Sequence, residues 1–189
     1  MIEVEKKFQP TEDELEALLE GAEFLGEIEN YDEHYDYPDF RLFKKGFRLR
    51  NRNGKFELKI KGSDFASGTT NSEEIETEPE ILEKLGFGPE AGLADIISAQ
   101  MEVFAAWRTK RKKYKKGRFN IDVDKTDFGY NVCEIEVMVE DPQEAERAER
   151  EITNLAREAG FPLEKLPTKM REYLKVAKPE IYQELYKFL

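Results

Sequence analysis

Acidic and basic residues recur at every second position in several short stretches of this chain. Glu3, Glu5 and Lys7 alternate with Val4 and Lys6, and Arg48 and Arg50 flank Leu49. Lys59 and Lys61 flank Ile60, Glu74 and Glu76 flank Ile75, Asp122 and Asp124 flank Val123, and Glu134 and Glu136 flank Ile135. Arginine offers a planar, always-charged fork that matches phosphate oxygens, and lysine offers a compact positive charge. Carboxylates are hard oxygen ligands suited to Mg²⁺ or Mn²⁺. With one histidine, His34, and one cysteine, Cys133, in the chain, neither imidazole-rich nor thiolate-rich metal sites are open to it.

Side chains at i and i+2 share a face of a β-strand, so each of these stretches reads as a strand with one apolar and one ionic face. The first strand runs Ile2 to Phe8, and a helix capped at Thr11 follows to about Glu20. A tyrosine-rich strand spans Ile28 to Tyr37 and stops at Pro38. Phe47 to Arg52 and Lys55 to Lys61 flank Asn53-Gly54, a hairpin-turn pair. After a loop from Gly62 to Ser72 come a strand near Glu73 to Glu78 and helices over Pro79 to Leu85 and Leu93 to Ser98. Strands at Met101 to Lys113, Arg118 to Lys125 and Tyr130 to Glu140 precede an amphipathic helix from Asp141 to Ala159. Two further helical pieces, Thr168 to Ala177 and Pro179 to Phe188, close the chain.

The fold expected is α+β, a closed eight-stranded antiparallel β-barrel with helices packed around it. A single strand of this pattern is ordinarily the wet face of a half-buried sheet. Six such strands with carboxylates and cations at i and i+2 are different, because like charges that close repel unless opposite charge lies between them. Closing the sheet turns the ionic faces into the lining of a tunnel, suited to a ligand carrying both signs: a polyphosphate and its divalent metal.

The whole chain is expected to form one domain, residues 1–189, with the helices from about 142 covering the barrel. Thirty basic and 41 acidic side chains leave a net charge of −11 over 189 residues, which disfavours nonspecific nucleic-acid binding. The start MIEVEKKF lacks an apolar signal core, and no stretch nears the roughly 20 apolar residues of a membrane span. A soluble, cytoplasmic monomer is expected, with no membrane or nucleic-acid partner. The basic run from Arg108 to Arg118 reads as a solvated hairpin tip or an electropositive tunnel mouth, with Arg111 alone placed inside. His34 is expected at the surface or in a satisfied structural role, and Trp107 and Cys133 in packing.

Glu3-x-Glu5-x-Lys7, followed in order by Arg48-x-Arg50, Lys59-x-Lys61, Glu74-x-Glu76, Arg111, Asp122-x-Asp124 and Glu134-x-Glu136, resembles the CYTH superfamily of triphosphate tunnel metalloenzymes. Asp122 to Tyr130, the turn Tyr35-Asp36-Tyr37-Pro38 and the closing Pro167 to Leu174 are most similar to its thiamine triphosphatases. The resemblance implies Mg²⁺-dependent hydrolysis of a triphosphate, with Mn²⁺ as the alternative ion. It implies Lys7, Arg48, Arg50, Lys59, Lys61, Arg111, Glu134 and Lys169 at the substrate, with Lys7 and Glu134 catalytic. Which of Lys59 and Lys61 reaches phosphate stays open at this stage. Glu3, Glu5, Asp122, Glu134 and Glu136 are the implied metal ligands, and Glu74 and Asp124 orient arginines. The animal thiamine triphosphatases place a tryptophan just before the first arginine, where this chain has Gly46-Phe47. Inorganic tripolyphosphate is therefore an alternative substrate. A class IV adenylate cyclase and a polyphosphate-binding module without turnover complete the set.

Overall fold

The computed structural model describes residues 2–64 and 69–189, with backbone alone at 63 and 64. Among the described residues there are eight strands: β1 (Ile2–Phe8), β2 (Glu23–Asp36), β3 (Phe47–Arg52), β4 (Lys55–Asp64), β5 (Thr70–Ile75), β6 (Glu102–Lys116), β7 (Phe119–Thr126) and β8 (Val132–Val139). They are hydrogen-bonded in a ring in the order β1-β5-β4-β3-β2-β6-β7-β8. The helices are α1 (Glu12–Leu19), α2 (Arg41–Lys44), α3 (Glu78–Leu85), α4 (Leu93–Gln100), α5 (Ala145–Glu158), α6 (Lys169–Ala177) and α7 (Pro179–Leu185). The expected α+β ring of antiparallel strands is the one observed. Residues 65–68 of the expected Gly62–Ser72 loop lie outside the described residues, and its flanks are strand, in β4 and β5.

Contacts group the chain into two compact units. The first comprises Met1–Glu29, Gly62–Ser72 and Thr109–Pro167. Its core joins Val4 and Phe8 of β1, Ile121 of β7 and Cys133, Ile135 and Val137 of β8 to Leu18 of α1 and to Ala148, Ile152 and Ala156 of α5. The buried positions of α5 fall at i, i+3, i+7 and i+11 from Ala145, one helical stripe laid on β1 and β8. Helix α1 starts at a capping box: Thr11 Oγ1 accepts from the Glu14 N–H at 3.3 Å, and Glu14 Oε2 accepts from the Thr11 N–H at 2.7 Å. One residue breaks the alternation. Lys6 lies among the apolar side chains of β1 with its ammonium 5.6 Å from the Phe8 ring. Burial lowers its pKa, and the nearby Glu149 carboxylate opposes that shift.

The second unit comprises Asn30–Lys61, Glu73–Arg108 and Thr168–Leu189. Its core packs Leu49, Leu58 and Ile75 of the strands against Ile81 and Leu82 of α3 and Leu93, Ile96 and Ile97 of α4. The β3–β4 hairpin turns at Asn53 and Gly54, with φ of 51° and 90°. That is the left-handed geometry a two-residue turn between twisted strands requires. Helix α2 has no apolar repeat to announce it. Its start is held by the Asp36 carboxylate, which accepts from the N–H groups of Tyr37, Leu42 and Phe43 at 2.8, 3.0 and 2.7 Å.

Candidate active site

In the first unit the strand registers assemble the ionic faces residue by residue. Glu5 lies opposite Glu136 and Lys7 opposite Glu134 across β1 and β8. Asp122 faces Glu134, and Asn120 faces Glu136, across β7 and β8. Arg111 faces Asp124, and Lys113 faces Asp122, across β6 and β7. The side chains follow this pattern, on the face opposite the core under α1 and α5.

Arg111 is the hub. Its Nε and Nη2 grip Asp124 at 2.7 Å each, Nη2 also donates to Glu134 Oε2 at 2.8 Å, and Nη1 pairs with Asp122. Lys7 Nζ lies 2.6 Å from Glu5 Oε1 and 3.4 Å from Glu134 Oε1. Lys115 Nζ donates to Asn120 Oδ1 at 2.6 Å, and Asn120 Nδ2 donates to Glu136 Oε1 at 3.1 Å. Burial works against the charge of Arg111, yet its bond to Asp124 and the charges of Glu134, Asp124 and Asp122 hold its pKa well above the ordinary value. Glu136 is pushed the other way. Burial, then Asp122, Glu134 and Glu5, raise its pKa against the pull of Arg111.

The donor set here fits a hard divalent cation. Carboxylates stand directly opposite one another, Glu5 on Glu136 and Asp122 on Glu134. Asp122 Oδ1 is buried and makes no hydrogen bond, although Lys113 Nζ lies 3.3 Å from it without hydrogen-bond geometry. Among the described residues, no three acidic or histidine side chains converge as a ready ligand set. Positive charge among them is supplied by Arg111, Lys7 and Lys113. Glu3 is buried on β1, opposite Met138.

In the second unit the arginines of β3 dominate. Arg50 pairs with Glu57 at 2.6 Å, and Arg52 grips Asp32 with bonds of 2.6 and 2.9 Å. Burial opposes the charge on Arg50, but Asp32, Glu57 and Glu74 outweigh it and raise its pKa. Arg48 turns to the α2 corner, where Nη1 donates to the Phe43 and Phe47 carbonyls at 2.9 Å and the guanidinium lies 3.3 Å from the Phe43 ring centroid. Burial lowers its pKa to about 10, with Asp36 opposing. Lys59 is half-buried, opposite Arg48 and 3.5 Å from Glu74, whereas Lys61 is exposed. Glu76 is exposed and falls beyond β5. Lys169 opens α6, directly after the Thr168 cap.

Trp107 is buried in packing, as expected, whereas His34 departs from its expectation. His34 is buried on the charged face of β2, opposite Arg50, with both ring nitrogens lacking a hydrogen-bond partner. Its ring stacks on Trp107 at 4.5 Å and 27°. Alternation did put His34 in phase with Asp32 and Asp36, and that phase was the available signal. The expected surface or satisfied role is not what the structure shows. The partner ring on β6 could not be seen, because strand neighbours far apart in sequence leave no local trace.

A match to the CYTH domain spans residues 1–169. The chain belongs to the CYTH family. It is 31% identical to thiamine-triphosphatase of Homo sapiens, covering 98% of this chain and 89% of that protein, and 32% identical to the Macaca fascicularis enzyme over the same shares. Among solved structures, a protein of Pyrococcus horikoshii OT3 superposes with a TM-score of 0.66 at 20% identity, covering 92% of this chain and 98% of that one. HpAC1 of Hippeastrum, named for adenylyl cyclase and described as having a dominant triphosphatase activity, superposes at 0.57 with 19% identity, covering 97% and 95%. These two likenesses establish the CYTH fold alone. The family binds triphosphates, is composed mostly of triphosphatases, and generally uses divalent metals. Among the described residues no helix is long and apolar enough to cross a membrane.

Proposed function

We propose that this CYTH protein hydrolyses the terminal phosphate of a triphosphate, with thiamine triphosphate as the organic substrate. The observation that carries the reading is the ladder in which Lys7 and Arg111, with half-exposed Lys113, interleave with the buried carboxylates of Glu5, Glu134, Asp122 and Asp124. So many desolvated charges of both signs are poorly explained by stability, since buried ion pairs often contribute less than well-packed apolar residues. The likeness to the mammalian enzymes supports the thiamine head group.

Water attacks the terminal phosphorus and releases a proton to solvent, the bridging P–O bond breaks, and the leaving diphosphate takes the electron pair. Arg48, Arg50, Lys59, Arg111 and Lys169 are assigned to phosphate oxygens, with exposed Lys61 the lesser partner of Lys59. Lys7 is assigned to the terminal phosphate, and Glu134 aims it and Arg111 from 3.4 and 2.8 Å. Glu3, Glu5, Asp122, Glu134 and Glu136 would hold Mg²⁺ or Mn²⁺. Such an ion, when bound, supplies charge neutralisation and Lewis acidity to the phosphate chain.

A second reading, hydrolysis of inorganic tripolyphosphate, draws on Gly46 and Phe47. Gly46 has φ of 84°, a conformation hostile to any larger side chain, and Phe47 packs on the second unit's core. Neither supplies an aromatic platform before Arg48. Phosphate release from thiamine triphosphate, tripolyphosphate and ATP, each with and without Mg²⁺, separates the readings. Conversion of ATP to a cyclic product without orthophosphate would mark a cyclase, and binding without turnover a non-hydrolytic module. Folded Glu136→Gln is expected to lose at least about 100-fold in rate. A parental rate in that variant removes Glu136 from the metal set.

A further inference from the structure

Trp107 links two elements of the second unit. On one side it stacks on His34 of β2, and on the other its ring centroid lies 5.2 Å from that of Tyr173 on α6, at an angle of 43°. His34 is in register with Arg50. The three rings therefore tie α6 to the charged face that carries Arg50. Lys169 is the first residue of α6 and Tyr173 is four residues on, so both project from the same side of the helix. A cation in the first turn opposes the helix dipole, so helix stability does not favour lysine at that position. Both residues are half-buried.

We infer that Tyr173 is a positioning residue: its ring, clamped on Trp107, orients α6 so that Lys169 reaches the phosphate chain of the substrate. This rests on the proposed function, which assigns Lys169 to phosphate, and adds the device that places it. The His34–Trp107 pair is the fixed base of the clamp, since both rings are buried. Half-buried Tyr173 is the face that α6 lays on that base.

The test is a double-mutant cycle read as KM and kcat for whichever of thiamine triphosphate and tripolyphosphate the parent hydrolyses, with binding by calorimetry alongside. Tyr173→Ala is expected to raise KM about tenfold, as loss of one charged contact does, while kcat changes little. Lys169→Ala should do the same, and adding Tyr173→Ala to it should change KM no further. Tyr173→Phe, which keeps the ring, should restore the parental KM. Trp107 is the chain's single tryptophan, so its emission reports the clamp directly. That emission should shift in Tyr173→Ala and stay parental in Lys169→Ala. If Tyr173→Ala does not fold, Tyr173→Leu takes its place in the cycle. An unchanged KM in the single variant, or an equal loss in both backgrounds, overturns the positioning role. A parent that neither binds nor hydrolyses thiamine triphosphate or tripolyphosphate overturns the proposed function, and this inference with it.

Discussion

The imidazole of His34 stacks on Trp107 with Arg50 opposite it in the register, and burial depresses its pKa to about 3. Arg50, Arg52 and Arg48 push in the same direction, and Asp32 alone among its charged neighbours opposes them. In the unfolded chain the same ring takes a proton near pH 6.5. Between those values the unfolded state binds more protons, so the contribution of His34 to stability is complete above about pH 6.5. It is lost as pH falls towards 3, at about 1.4 kcal/mol per pH unit. Asp36 and Glu136, whose pKa values are raised, push the other way as they titrate. Comparison with His34→Phe isolates the ring: the variant should lose this part of the acid sensitivity while keeping the stack. Because His34 is the chain's one histidine, its NMR resonance can be followed directly and is expected to stay flat from pH 8 down to about 4.5. A midpoint near 6.5 would mean that the ring is solvated. Nothing in the local sequence forecasts this behaviour. It comes from Trp107, 73 positions away, and from arginines on the adjacent strand.

At the scale of elements, alternation was a good guide to faces and a poor guide to ends and partners. It placed Glu5, Lys7, Asp122, Glu134 and Glu136 on one side of their strands, as the registers confirm. It did not select the three carboxylates that Arg111 grips, because period two fixes a face while register depends on the neighbouring strand. Strand β2 begins at Glu23, five residues before the expected Ile28, since its first turns of chain are exposed and carry no apolar alternation. Helix α2 escaped notice because four residues held by the Asp36 carboxylate need no hydrophobic stripe. Lys6 broke the pattern because its long stem can lie along apolar surface while the ammonium seeks Glu149. Helix α5 was legible throughout, apart from a first turn that is 3₁₀ over Pro142–Glu144. Its Ile152, fully buried, packs in the core beneath β1 and β8. Ile152→Ala should cost about 2–5 kcal/mol in denaturant unfolding. KM for tripolyphosphate should be unchanged in the folded variant, because the ionic residues are on the other face of those strands. A raised KM at full folding would make α5 part of the site rather than its cover.

At the scale of the whole molecule, charge presents a conflict that the ring of strands must resolve. The chain carries a net charge of −11, yet its family binds polyanionic triphosphates. Near the proposed phosphate-binding groups the local field is set by Lys7, Arg111 and Lys113 in one unit and by Arg50, Arg52 and Lys59 in the other. Which field a substrate feels depends on salt. At 0.15 M the Debye length is about 8 Å, and an approaching triphosphate senses mainly the cations closest to it. At 0.01 M it is about 30 Å, long enough for the excess carboxylates of the whole chain to repel the substrate before it arrives. At the other extreme, about 3 Å at 1 M, the local cations are themselves screened. With Mg²⁺ held constant, kcat/KM for tripolyphosphate should therefore rise from 0.01 M salt to an intermediate maximum and then fall. An isolated cationic site would give a monotonic decline from the lowest salt upward. Measuring the initial rate at limiting substrate across this range distinguishes the two. A monotonic decline would mean that the net negative charge is too far from the approach path to oppose binding.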